Sequence, residues 1–323
     1  MAAMDRILLV KTSSLGDVVH NLPVVSDIRL HFPRARIDWA VEESFAAIPA
    51  LHPGVHSVLP LALRRWRRAP LSRAVRSEVG AFRRLLRAHE YDAIIDTQGL
   101  VKSSCVVRMA RGTRMGYDAR SAWEPLATLM YQRRFAVSPD WHAVVRNRSL
   151  VGQALGYAPG PDVDYGISAP LKPFAWAPAG PYVVLLHATS LADKEWPEER
   201  WVELGQRLRA SGLAAVLPAG TPRERSRSQA IARRVEFAVV PPPSGIATLA
   251  SLLAGAEMVV GVDTGLTHLG AALGRPTVAI FCATDAAATG VYGAPLAVNL
   301  GGPGAPPAVD EVLAAAARIG VVL

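Results

Sequence analysis

Arg6-Ile7-Leu8-Leu9-Val10-Lys11-Thr12-Ser13-Ser14-Leu15-Gly16-Asp17 decides how this 323-residue chain folds. Four consecutive apolar residues, Ile7 to Val10, are too few for a helix and read as a strand buried on both faces, as in a parallel sheet. Hydroxyls, a glycine and a carboxylate then crowd into one turn, and the periodicity of residues 17–31 predicts a helix. A strand passing through a polar turn into a helix opens a Rossmann-like α/β unit.

Outward from this stretch the pattern repeats. Strands are expected at Ile37–Val41, weakly near Ser57–Leu59, and at Ala93–Asp96, with helices over 75–89, 100–110, 121–134 and 142–156. Prolines and glycines collect from Tyr157 to Pro181, a linker composition. A second series follows: strands Tyr182–His187, Ala214–Leu217, Phe237–Val240, Met258–Val262 and Thr277–Phe281, with helices over 197–211, 222–235, 246–255, 264–274 and 308–320. The fold class is therefore α/β, two Rossmann-like domains facing each other across a cleft. Residues 1–165 form the first domain, 166–181 the linker and 182–323 the second, whose last helix is a candidate to pack back toward the first. Ligands of such sheets bind at the carboxyl ends of strands.

Charge divides the chain more sharply than composition does. Residues 1–150 carry 23 basic and 13 acidic side chains, and the remainder 12 and 14, so the total of +8 arises entirely in the first half. A basic half suits an anionic partner: nucleic acid, a membrane face or an acidic substrate. Half the residues are apolar and 19% are charged, which excludes wholesale disorder. Cys105 and Cys282 lie far apart, so neither a disulfide scaffold nor a zinc module is indicated. Neither a signal peptide nor a membrane span is expected, which places the protein in the cytosol.

Four segments carry candidate chemistry. The Lys11–Asp17 turn matches neither G-x-G-x-x-G nor G-x-x-x-x-G-K-[ST], yet it gathers an ammonium, hydroxyls and a carboxylate at a helix start. Asp17 is a candidate general base toward an acceptor hydroxyl. A capped helix start also accounts for Ser14 and Asp17, and a helix N-terminus lowers a carboxylate's pKa, which burial under substrate must offset. Val262-Asp263-Thr264-Gly265-Leu266-Thr267-His268-Leu269 follows the apolar strand Met258–Val262. Gly265 lets a ligand approach the backbone, and the free N–H groups of the helix start suit a diphosphate. An ordinary capped turn explains Thr264 but not the whole cluster with His268.

In the third segment, His187 to Pro197, Lys194 lies beyond a strand end with the hydroxyls of Thr189 and Ser190, where an ammonium can hold a phosphate oxygen. The next strand ends in Leu217 to Glu224, whose Glu224 is a candidate for ribose hydroxyls. The fourth is Arg64-Arg65-Trp66-Arg67-Arg68, with guanidiniums suited to carboxylates and phosphates, although a solvated loop has the same composition. Asp96-Thr97-Gln98-Gly99-Leu100-Val101-Lys102-Ser103 is a further strand-to-helix turn whose polar side chains suit a sugar. Asp162-Val163-Asp164 spells a metal-binding Asp-x-Asp, but within the linker and away from any strand end; no essential metal or cofactor is expected.

Lys11 to Asp17 continued by His20-Asn21-Leu22-Pro23, then Leu63 to Arg67, Asp96 to Ser103, His187 to Pro197 and Val262 to Leu269 resemble, in order, the lipopolysaccharide heptosyltransferase I family of ADP-heptose glycosyltransferases. The heptosyltransferase II family shares the Gly-Asp turn and Asp-Thr-Gly-x-x-His but is less similar around Lys11–Ser14 and Arg64–Arg67. The resemblance implies a GT-B fold and inverting transfer of L-glycero-D-manno-heptose from ADP-heptose to Kdo of Kdo2-lipid A, by a monomer peripheral to the cytoplasmic face of the inner membrane. It implies that Asp17 is the base and that Thr189, Ser190 and Lys194 meet the diphosphate. Glu224 is then the ribose contact, and Asp263, Thr264, Gly265, Leu266 and His268 surround the donor. Lys11, Ser13, Arg64, Arg65, Arg67 and Gln98 fall on the acceptor side. The family tends to carry an arginine before Glu-Pro-Leu where this chain has Trp123, so Arg120 or another residue must substitute at the acceptor. The reading from another class is a non-catalytic binder of anions or anionic lipid; no nucleic-acid module is visible.

Overall fold

The structure is a computed structural model that describes residues 4–189 and 191–322. The chain divides into two compact units, Met1–Ile167 and Ser168–Leu323.

In the first unit β1 (Arg6–Val10), α1 (Leu15–Val19), α2 (Leu22–His31), β2 (Arg36–Glu42), β3 (Val55–Leu61), α3 (Leu63–Trp66), α4 (Arg73–Leu86), β4 (Glu90–Asp96), α5 (Val101–Met109), β5 (Arg111–Tyr117), β6 (Arg133–Phe135) and α6 (Ala143–Leu155) follow in sequence. The six strands form a parallel sheet in the order β3-β2-β1-β4-β5-β6. Ile7, Leu8, Leu9 and Val10 are fully buried, as a central strand covered on both faces requires. The winding reverses between β1 and β4, which pair Val10 with Asp96 at their carboxyl ends. At such a switch point the loops after the two strands diverge and leave room for a ligand.

Three expectations in this unit are corrected. The helix expected over 17–31 is two helices: α1 ends at Val19, and Asn21 starts α2 with Pro23 in its first turn. Proline lacks an N–H and suits only a first turn, so it divides the segment. The helix expected over 121–134 is a 3-10 helix, Pro125–Met130, followed by β6. β5 was not expected, because Arg111-Gly112-Thr113-Arg114 lacks an apolar run and only Met115 to Tyr117 are buried. Gly116 is essential to it: a Cβ there would lie 2.4 Å from the Tyr131 ring.

The second unit contains β7 (Tyr182–Leu186), α7 (Glu198–Ala210), β8 (Ala214–Val216), α8 (Pro222–Ala232), α9 (Ile246–Ala254), β9 (Met258–Val262), α10 (Gly265–Ala272), β10 (Thr277–Phe281), α11 (Ala286–Thr289), β11 (Ala297–Gly301) and α12 (Val309–Arg318). Its parallel sheet has the order β11-β10-β9-β7-β8, with the switch point between β7 and β9. Gly261 in β9 brings α10 close, since a Cβ would meet the Thr267 hydroxyl at 2.1 Å. The strand expected at Phe237–Val240 is a single bridge, Val239 beside Val216. Pro241, Pro242 and Pro243 follow directly and have no N–H to extend a ladder. α12 buries Val309, Val312, Ala315 and Ala316 in the core that holds Val278 and Ile280 of β10, so its apolar face is used within its own unit.

Candidate active site

Around the β1/β4 switch point, Asp17 lies in the first turn of α1 and is half-buried. Its Oδ2 accepts from the Ser14 N–H and the Ser14 hydroxyl, both at 2.8 Å, which fixes the carboxylate in a capping arrangement. Oδ1 accepts no hydrogen bond from the described residues. One oxygen thus orients the group and the other remains available to a proton.

Gln98 builds the loop that carries Asp17. Its Oε1 accepts from the Thr12 N–H (2.8 Å) and hydroxyl (2.6 Å), while its amide donates to the Ser13 carbonyl at 2.9 Å. Asp96 holds Gln98 in turn, its Oδ1 accepting from the N–H groups of Gln98 and Gly99 and its Oδ2 from the Tyr131 hydroxyl at 2.7 Å. Burial pushes the Asp96 pKa up against these bonds. Lys11 lies beneath the loop, its Nζ donating to the Thr97 carbonyl at 2.9 Å and, at 3.5 Å, to Asn147 Oδ1. Burial lowers the Lys11 pKa, opposed by Asp17 and Asp96. Lys11 and Gln98, expected to meet the acceptor, are both buried and support the turn from within.

Lys102 in α5 donates to the Ser13 hydroxyl at 2.7 Å. Burial lowers its pKa, Arg64 and Arg67 lower it further, and Glu42 and Asp17 raise it, so these charges share one neighbourhood. Arg64 projects over the Phe45 ring at 5.1 Å. Arg65 turns elsewhere: it pairs with Glu78 at 2.7 Å and Glu43 at 3.3 Å, and Trp66 Nε1 also donates to Glu78. Arg120 is exposed on a turn closed by Asp118. Arg146 is buried between the rings of Tyr117 (5.1 Å) and Trp123 (4.7 Å). Sequence reasoning passed over Lys102 as a site residue although it stands in a quoted motif; Arg146 and Asn147 lie mid-helix, where nothing local distinguishes them.

In the second unit the β7 and β9 loops meet at their switch point. Lys194 Nζ donates to Asp263 Oδ2 at 2.8 Å, as does the Thr284 hydroxyl, and Thr189 Oγ1 donates to the Asp263 carbonyl at 3.0 Å. His268 Nε2 lies 3.6 Å from Asp263 Oδ1. Burial alone would raise the Asp263 pKa, but the His268, Lys194 and Thr284 bonds outweigh it and hold the carboxyl well below its usual range. The Lys194 loop is clamped by Trp196, fully buried against Trp201, and by Glu195 paired with Arg227. Thr284, from the loop after β10, had no sequence signal beyond its place after a strand.

A cavity of about 250 Å³ adjoins these loops, lined by Leu186, Ala188, Thr189, Pro218, Ala219, Gly220, Glu224, Leu249, Thr264 and Leu266. Thr264 precedes α10, whose first N–H groups, at Gly265 and Leu266, have no intrahelical partner. Glu224 caps α8, accepting from the Gly220 and Thr221 N–H groups. Ser190 lies outside the described residues. Asp164 closes a turn onto the Gly166 N–H. Among the described residues no three His, Cys, Asp or Glu side chains are grouped as metal ligands.

Residues 79–311 match the model of glycosyltransferase family 9 (heptosyltransferase). Over 290 residues the chain is 46% identical to lipopolysaccharide heptosyltransferase 1 of Escherichia coli strain K12, covering 89% of this chain and 91% of that protein. It is 44% identical to the protein of that name from Pseudomonas aeruginosa, with 89% and 81% covered. The fold superposes on E. coli heptosyltransferase WaaC with ADP at a TM-score of 0.89 and 42% identity, covering 98% of this chain and all of the other. E. coli ADP-heptose lps heptosyltransferase II, at 18% identity, shares the fold with a TM-score of 0.77 over 97% of this chain and 98% of the other.

Proposed function

The chain belongs to glycosyltransferase family 9, the heptosyltransferases, and we propose the following division of labour for its residues. The enzyme transfers heptose from ADP-heptose in lipopolysaccharide core synthesis, by an inverting displacement, and its acceptor is Kdo of Kdo2-lipid A. The second unit takes the donor. Its carrying observation is the Lys194 ammonium fixed on Asp263 at the β7/β9 switch point, beside the opening N–H groups of α10 and the cavity of about 250 Å³. The heptosyltransferase WaaC, 42% identical, has been solved with ADP and with ADP-2-deoxy-2-fluoro heptose.

Asp17 Oδ1 accepts the proton of the acceptor hydroxyl as that oxygen attacks the anomeric carbon. The sugar passes through an oxocarbenium-like transition state and ADP departs. A weak carboxylate base suffices because the hydroxyl proton becomes acidic only as the new bond forms. Negative charge grows on the leaving diphosphate, where Lys194 and the Gly265 and Leu266 N–H groups stabilise the transition state more than the ground state.

The first unit takes the acceptor. It carries 23 basic and 15 acidic side chains, a net of +8, whereas the second unit is balanced at 12 and 12. Arg64, Arg67 and Lys102 face the carboxylates and phosphates of the acceptor; Lys11, Ser13 and Gln98 hold the Asp17 loop, and Arg65 supports α3. No helix among the described residues is long and apolar enough to cross a membrane; the enzyme works as a monomer at the cytoplasmic face of the inner membrane, where its acceptor is anchored. Incubation with ADP-heptose tests the assignment. ADP release is expected with Kdo2-lipid A and not with an already heptosylated core, and the reverse preference would make this a type II enzyme.

A further inference from the structure

Three large apolar side chains stand exposed at three-residue intervals: Trp123 at 66%, Leu126 at 69% and Leu129 at 70%. Leu126 and Leu129 lie on the 3-10 helix Pro125–Met130, with Trp123 just before it. Three residues make one turn of such a helix, so Leu126 and Leu129 align on one face, and Trp123 stands exposed just before the extended N-cap Glu124. The buried positions of the same helix are Ala127 and Thr128, and Met130 packs in part against the core, so Leu126 and Leu129 are its large apolar side chains left to water. Large apolar side chains left exposed close together mark an interaction surface.

The charges around this patch indicate what covers it. Arg120 precedes it, and the exposed Arg133 and Arg134 follow it on edge strand β6. Arg114 Nε donates to the Met130 carbonyl at 3.0 Å, beside Leu129. The nearest acid in sequence, Glu124, accepts from the Val101 N–H at 2.6 Å. The patch is also continuous with the acceptor side, for Trp123 covers Arg146, whose charge acts on Lys11 beneath the Asp17 loop.

We propose that Trp123, Leu126 and Leu129 dock the first unit onto an anionic lipid bilayer, with Arg120, Arg133 and Arg134 meeting lipid phosphates. Large apolar side chains seated at headgroup depth and flanked by arginines match the chemistry of an interfacial surface. The choice of a bilayer rests on the proposed acceptor, a sugar held at a membrane by acyl chains.

Flotation with phosphatidylcholine vesicles, with or without phosphatidylglycerol and without any acceptor, tests the surface alone. The full chain is expected to float with the anionic vesicles only, and L126S/L129S to partition about tenfold less or weaker still. Both leucines face water, so ADP affinity by calorimetry and transfer to a deacylated, soluble Kdo acceptor are expected to stay unchanged in that variant. Brominated lipid in the anionic vesicles is expected to quench tryptophan emission, and W123F to remove most of that quenching. Undiminished vesicle binding by L126S/L129S, or full quenching in W123F, would overturn the proposal, leaving the patch to a second copy or a protein partner. Failure of the unaltered enzyme on the deacylated acceptor would instead overturn the functional reading and leave the vesicle result standing.

Discussion

Asp17 and Lys194 illustrate how a side chain can be both structural and reactive. Ser14 occupies one Asp17 oxygen twice and leaves the other open, so the cap that lowers basicity also aims the base. Replacing Asp17 with Asn keeps a carbonyl oxygen able to cap and removes only the proton acceptor. Turnover by D17N is expected to fall ~10²-fold or more with ADP-heptose affinity unchanged. Near-normal single-turnover rates would exclude Asp17 as the base. Lys194 stands differently, because its partner Asp263 keeps only 11% of its side chain exposed and is held strongly ionised. K194A removes a diphosphate contact and leaves Asp263 to repel the donor. It should weaken ADP binding by at least ~10-fold in calorimetry, and an unaltered affinity would refute the contact.

At the scale of elements, what was legible is what local periodicity carries. β1 from Ile7, β9, and β10 from Val278 are uninterrupted apolar runs, and the turns after β1, β7 and β9 announce themselves by residue types that strands and helices avoid. β5, β6 and the 3-10 helix after β5 were not legible, because their pattern exists only in three dimensions. Gly116 reads as a strand breaker until the Tyr131 ring is seen to occupy the space above it. Among the site residues the same division holds: Asp17 and Lys194 stand in turns, whereas the burial of Lys11 and Gln98 and the pairing of Arg65 depend on distant partners. The hidden pair is testable. G116A would drive Tyr131 off Asp96, leaving a buried carboxylate short of a donor and loosening the Gln98 turn that supports Asp17. The expected cost is ~2–4 kcal/mol from overpacking plus the lost bond, read as a lower Tm, with kcat reduced more than donor affinity. Y131F isolates the bond and should cost ~1–3 kcal/mol, and equal stability of both variants to the unaltered protein would remove Asp96 as the turn's anchor.

At the scale of the whole molecule, the two units differ in charge yet share one response to acid. Each buries a neutral histidine. In the first unit His52 accepts from the Gly54 N–H through Nδ1, and in the second His187 pairs Nε2 with the Ser228 hydroxyl at 2.7 Å. Burial lowers both to about 4, with Arg29 adding to the effect at His52 and Arg227 at His187. Between pH 6.5 and 4 only the unfolded chain takes up these protons, so the stability they contribute is complete above pH 6.5 and is lost as pH falls toward 4. Each histidine commands up to ~1.4 kcal/mol per pH unit across that window, roughly 3 kcal/mol in all. Asp263 does not enter here, since a depressed carboxylate loses its contribution only as pH falls below its unfolded value near ~3.9. Calorimetry from pH 7.5 downward is therefore expected to show a Tm that already falls from about pH 6.5, well above the range in which Asp263 loses its contribution. In H187Q, whose amide can still meet Ser228, the second unit should lose that slope while His52 keeps the first unit's. A second-unit transition that falls with acid as steeply in H187Q as in the unaltered enzyme would place the acid sensitivity elsewhere.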